Sequence, residues 1–125
     1  MKRLGKLISI AQDIGVLHYS DYRIFLSEIY RGAKDTLEKF TYMEMSELLG
    51  YSKSNAIHLI VNHKRSLSRV AAQKIASKLE LRGLERKYFL TVVKHNDARL
   101  VTEKEVQFKK MVELKAKSVG TSGSD

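Results

Sequence analysis

Between residues 51 and 88 the chain sets nine cationic side chains, Lys53, Lys64, Arg65, Arg69, Lys74, Lys78, Arg82, Arg86 and Lys87, against Glu80 and Glu85 alone. Cations clustered in this way bind polyanions: guanidinium forks and ammonium groups neutralise phosphates and displace their counterions. Residues 21 to 50 carry the opposite balance, four cations against six acids, so the surplus behind the net charge of +9 on this 125-residue chain is local. Catalytic chemistry has no comparable foothold. The chain has no cysteine, which removes thiol nucleophiles, disulfide frameworks and cysteine-held zinc or iron-sulfur centres. Its four histidines are scattered and form no His-Glu-x-x-His, and no glycine-rich loop could cradle a phosphate. The close acidic pair Glu44 and Glu47 is accounted for at its first member by helix capping. An enzyme is not expected, nor a cofactor or a bound metal.

Cations of this kind act only when something rigid holds them, and the composition points to helices. With no proline and seven glycines, the chain is poor in strand punctuation, and the expected fold is all-α, a compact bundle of about five to seven helices. Leu4, Leu7, Ile8, Ala11 and Ile14 recur at helical spacing over residues 3 to 14. Ser20 is the expected cap of a second helix with Tyr22, Phe25, Leu26, Ile29 and Tyr30 inward and Arg23, Ser27 and Arg31 outward. Thr41-Tyr42-Met43-Glu44 matches a capping box, and Thr102-Glu103-Lys104-Glu105 matches another. Ser68 is placed to cap a helix through Leu79, and Gly83 precedes one over residues 84 to 97. The expected organisation is an N-terminal amphipathic helix in 1–19, a central domain in 20–98, a C-terminal helix in 99–117 and a disordered tail in 118–125. No window approaches the ~18 to 20 apolar residues of a membrane span and no cleavage site follows the basic start, so a cytoplasmic protein away from membranes is expected.

The centre of the chain reads helix, tight turn, helix. A helix from Thr41 reaches Leu49, Gly50 supplies the left-handed stop, Ser52 can cap a second helix, and Asn62 is the expected second stop. Two short helices joined this way present the second as a rod that fits the major groove of DNA. The arrangement requires a small residue at the crossing, which Ser46 supplies. It also requires apolar anchors, for which Met45, Leu49, Ala56, Leu59 and Ile60 are placed.

The stretch Tyr42 to Ser68, with Met45-Ser46-Glu47-Leu48-Leu49-Gly50-Tyr51-Ser52 and Lys64-Arg65-Ser66-Leu67-Ser68, resembles the lambda-repressor-like (Cro-type) helix-turn-helix family. Residues from about Tyr22 through Ala98 resemble more closely an uncharacterised bacterial family of regulators that join such a module to a longer C-terminal domain. The resemblance implies an all-helical bacterial regulator of transcription that binds double-stranded DNA, usually as a homodimer. It places base contacts on Lys53, Ser54, Asn55 and His58, whose donors and acceptors suit guanine and adenine edges. Phosphate contacts fall on Tyr42, Ser52, Lys64, Arg65 and Arg69, helped by helix N-terminal amides. Where the family has Asn-Gly and a basic residue, this chain has Asn62-His63-Lys64. The expected dimer surface is Tyr88, Phe89, Phe108, Met111 and Val112. Ala56 to Val61 is nearly continuous apolar sequence, and it motivates a second reading, an adaptor that buries Ile57 and Val61 in a protein partner.

Overall fold

A computed structural model describes residues 2–52 and 54–123, and among them all regular structure is helical. The order is α1 (Lys2–Ile14), a single 3-10 turn (Val16–His18), α2 (Tyr22–Thr36), α3 (Tyr42–Leu48), α4 (Ala56–Val61), α5 (Arg69–Lys78), α6 (Gly83–Asp97) and α7 (Val101–Gly123). The expected all-α bundle is therefore what the chain forms. One apolar cluster runs from Leu7 and Ala11 on α1 through Phe25, Leu26 and Ile29 on α2 to Phe89 on α6 and Met111 on α7. Phe25 sits at its centre, with the rings of Tyr19 and Phe89 at 5.5 and 5.9 Å. α2 and α6 form the interior. α1 lies on α2 and reaches α3 through Arg3, α4 packs on α2 with α3 beside it, α5 lies on α6, and α7 runs along α6.

Local capping follows the sequence in part. Thr41 Oγ1 accepts from Glu44 N at 3.1 Å, and Ser68 Oγ accepts from Ala71 N at 3.1 Å, as expected. The second half of the first capping box is absent, because the Glu44 carboxylate takes both the Nε and the Nη2 of Arg3 on α1. A charge-assisted bidentate pair outcompetes the return bond to a neutral amide. At α2 the cap is Asp21, whose carboxylate accepts from Arg23 N at 2.8 Å, and Ser20 lies one residue outside. α7 begins at Val101 with Lys104 N bonded to Leu100 O, so Thr102 lies inside the first turn and does not cap it. The same helix continues to Gly123, through residues 118–123 expected in a disordered tail. Ser118 Oγ folds back onto Lys115 O at 2.7 Å, a bond that keeps the serine within the helix.

Tyr22 ties the helices that carry the cationic segment to the rest. Its side chain is 1% exposed, and its hydroxyl accepts from Leu67 N at 3.3 Å and Arg23 Nη1 at 3.0 Å while donating to Asp97 Oδ1 at 3.2 Å. Its backbone N–H donates to Asn96 Oδ1 at 2.9 Å. One phenol thus joins the start of α2, the loop before α5 and the end of α6. Tyr22→Phe leaves the buried Leu67 amide without its acceptor and is expected to cost about 1–3 kcal/mol in denaturant unfolding. Burial, and next the charge of Asp97, push this phenol from the ordinary 10.0 up to about 12. A folded-state value above the unfolded one stabilises fully below about pH 10 and is lost as pH rises through about 12. Stability followed from pH 9 to 12 should therefore fall less steeply in Tyr22→Phe than in the parent, and parallel curves would refute this role.

Candidate nucleic-acid interface

α3 meets α4 through a serine. Ser46 is fully buried, its Oγ donates to Tyr42 O at 2.8 Å one turn back and accepts from Ile57 N at 3.0 Å across the crossing. A larger residue would hold the helices apart, and an alanine would leave one of the first amides of α4 without a partner. The joint between the helices is a Schellman turn: Tyr51 N bonds Ser46 O at 2.9 Å and Gly50 N bonds Glu47 O at 3.1 Å. Gly50 carries φ +105, and a Cβ there would come 2.3 Å from Cδ of Lys74, whose stem lies across the turn. The dihedral is what requires the glycine, since the flexible, exposed Lys74 side chain could move aside for a Cβ.

The second helix is shorter than expected and turned differently. α4 starts at Ala56, not after Ser52, because Ser54 Oγ accepts from Ala56 N at 3.3 Å and holds 54–55 in a turn. Ser54 and Asn55 therefore stand just before the helix, Ser54 half-exposed and Asn55 exposed. Lys53 lies outside the described residues. Ala56, Ile57 and Ile60 face inward, whereas Leu59, the expected anchor, is only half-buried. Ile57 is 0% exposed, so it can reach neither a thymine methyl nor a protein groove, and Val61 is packed against the core. The amides of Ala56 and Ile57 are taken by serine oxygens, which removes them as phosphate donors. α4 also ends in a Schellman turn, with Lys64 N on Leu59 O and His63 N on Ile60 O. The left-handed residue is His63 at φ +62, not Asn62.

What stays open to solvent on α4 is a polar edge of Asn55, His58 and Asn62. The His58 ring meets Tyr42 edge-on at 5.1 Å, and Tyr42 in turn stacks on Tyr30 at 3.6 Å, so Tyr42 buttresses the histidine from α3. Burial raises the Tyr42 phenol above its ordinary value, which keeps it a neutral donor. Ser52, Lys64, Arg65 and Arg69 are exposed around the same helix pair. Arg65 lies 5.3 Å over the ring of Tyr51, itself half-buried, with its phenol raised by burial against the opposing charge of Arg65.

Sequence reasoning missed four residues here. Arg23, expected outside, donates through Nε to Ile60 O at 3.0 Å and through Nη2 to Arg65 O at 3.4 Å, closing the C-terminus of α4 and pinning the basic loop. Tyr51 carries Arg65, Lys74 covers Gly50, and Asn62, whose Nδ2 donates to His58 O at 2.8 Å, joins the polar edge. Only Asn62 had a local signal, its place one turn after His58. The expected dimer surface divides in two. Tyr88, Phe89 and Met111 are buried in the protomer's own core, Tyr88 with its hydroxyl donated to Tyr19 O at 2.9 Å, whereas Phe108 and Val112 stand about half exposed at 52% and 51%. They differ because α6 is covered by α2 and by α7, while α7 has a single main neighbour, so that Met111 is covered and Phe108 and Val112 are not.

No protein-family model, curated protein or solved structure matches the chain. Among the described residues, no helix is long and apolar enough to cross a membrane.

Proposed function

We propose that the chain is a cytoplasmic DNA-binding regulator of transcription of bacterial type, which sets the α3/α4 pair on double-stranded DNA with the outer edge of α4 in the major groove. The observation that carries this reading is the Ser46–Ile57 bond. It docks α4 by its apolar side and leaves Asn55, His58 and Asn62 outward, with exposed Lys64, Arg65 and Arg69 following α4 in the chain. Asparagine matches the N6/N7 edge of adenine, and histidine matches acceptors or donors on either base pair. The cations then serve register and affinity by holding phosphates on the two sides of the groove. The adaptor reading is weakened, since of the two side chains that were to enter a partner's groove Ile57 fills this protein's own core and Val61 is partly buried against it.

The direct test is selection of bound fragments from genomic DNA, followed by titration of the selected duplex, random duplex and RNA at several salt concentrations. A preference for the selected duplex of about a thousandfold or more is expected. Equal affinity for all three would identify a nonspecific polyanion binder, and retention of a protein partner without salt-sensitive DNA binding would restore the adaptor. Asn55→Ala is expected to narrow the preference between selected and random duplex by about 5- to 150-fold, corresponding to roughly 1–3 kcal/mol of lost base discrimination. An unchanged ratio would remove Asn55 from the reading edge.

A further inference from the structure

α7 carries two stripes. Lys104, Gln107, Met111, Leu114 and Ser118 turn toward the body of the protein: Lys104 Nζ reaches His95 O at 3.0 Å, and Met111 is buried in the core. A second stripe, rotated away from the first, holds Val101, Glu105, Phe108, Val112, Lys115 and Val119, every one of them exposed. Their intervals alternate between four and three residues, the spacing of a coiled-coil seam. Four of the six are large and apolar, with exposures of 72% at Val101, 52% at Phe108, 51% at Val112 and 70% at Val119. At 1.5 Å per residue the stripe is about 27 Å long.

The order of residues along the stripe is a palindrome about position 110. Val101 and Val119 lie equally far from it, as do Glu105 and Lys115, and Phe108 and Val112. We propose that α7 pairs with α7 of a second copy of this chain as an antiparallel coiled coil with its two-fold axis at residue 110. In that register Phe108 packs on the partner's Val112, Val101 meets the partner's Val119, and Glu105 faces the partner's Lys115. Each contact occurs twice, as an isologous interface requires. A parallel pair in register would set Glu105 on Glu105 and Lys115 on Lys115. An antiparallel pair slipped by one heptad would set Glu105 on Phe108 or Lys115 on Val112. Only the palindromic register matches apolar with apolar and opposite charge with opposite charge, so the ionic layer selects both orientation and register. Neither Glu105 nor Lys115 makes an ion pair within the protomer among the described residues. Lys109 flanks the seam near the axis and meets its own symmetry mate at the rim, where water and salt screen the repulsion.

The association needs nothing of the nucleic-acid reading, and it is measured without nucleic acid, so either conclusion can fail while the other stands. Sedimentation equilibrium of the full chain is expected to show a dimer. Glu105→Lys and Lys115→Glu, each made alone, place like charges in both ionic layers and should weaken it by about tenfold or more, with helical content unchanged by circular dichroism. The double reversal Glu105→Lys/Lys115→Glu should recover the parent association. An equimolar mixture of the two single variants should recover it as well, because each heterodimer contains two opposite-charge layers. A parent that stays monomeric to about 100 µM, single reversals without effect, or a mixture that fails to associate would each overturn the proposal.

Discussion

Ile57→Ala is expected to cost about 2–5 kcal/mol of folding free energy. The side chain is 0% exposed and stands where the crossing of α3 and α4 meets α2, so its removal leaves a cavity that neighbours on three helices cannot all relax to fill. For a chain of this length the melting midpoint should fall by about 6 °C or more. Val70→Ala on the exposed side of α5 serves as the contrast and should stay within about 0.5 kcal/mol. The comparison also separates the two readings of the apolar second helix. If Ile57 were a contact for a protein partner, its truncation would weaken capture of that partner and leave the melt where it was. A midpoint within two or three degrees of the parent would contradict the packing described above.

Replacing Lys64, Arg65 and Arg69 together by alanine should strip the DNA complex of most of its salt sensitivity near α4. If each cation neutralises one phosphate, the slope of log affinity on log salt falls in magnitude by about 2.7. Between 50 and 200 mM salt the parent should then lose about 40-fold more affinity than the variant. All three side chains are exposed and none makes a salt bridge among the described residues, so the variant should melt close to the parent. Arg65 differs from the other two in resting on the Tyr51 ring while its backbone carbonyl accepts from Arg23, which holds that part of the loop against α2. Arg65→Lys keeps the charge but loses the planar fork and the stacking surface, and should recover only part of the affinity. An unchanged salt slope in the triple variant would mean that the basic segment faces something other than a phosphate backbone.

The cation cluster, the Thr41 and Ser68 caps, the glycine stop at Gly50 and the small residue at Ser46 were all legible in the chain. Each depends on partners within a few residues or on a steric demand that a single residue type meets. The same locality explains the misses at helix starts. Ser20 and Asp21 are both competent caps, and the Asn96 carboxamide, which reaches the backbone at Ser20 and Tyr22 from α6, lies beyond any local pattern. Glu44 has the geometry of a capping box, yet its partner, Arg3, is 41 residues away.

Helical periodicity determined which side chains share a face, and on α2 Tyr22, Phe25, Leu26 and Ile29 are buried as expected, while Tyr30 is only half-buried and Arg23, expected outward, turns in to Ile60. It could not rank two apolar faces of one helix. On α4 the buried member is Ile57 and not Leu59, and on the last two helices Tyr88 and Phe89 go inside while Phe108 and Val112 stay out. Where the apolar arc is wider than a neighbouring helix can cover, the burial of one edge is set by which elements pack there, a free-energy choice summed over the whole chain. The sequence by itself determined the helices, their stops and the local charge. The tertiary structure alone decided which edge of α4 faces solvent and which of the apolar residues on α7 stay exposed.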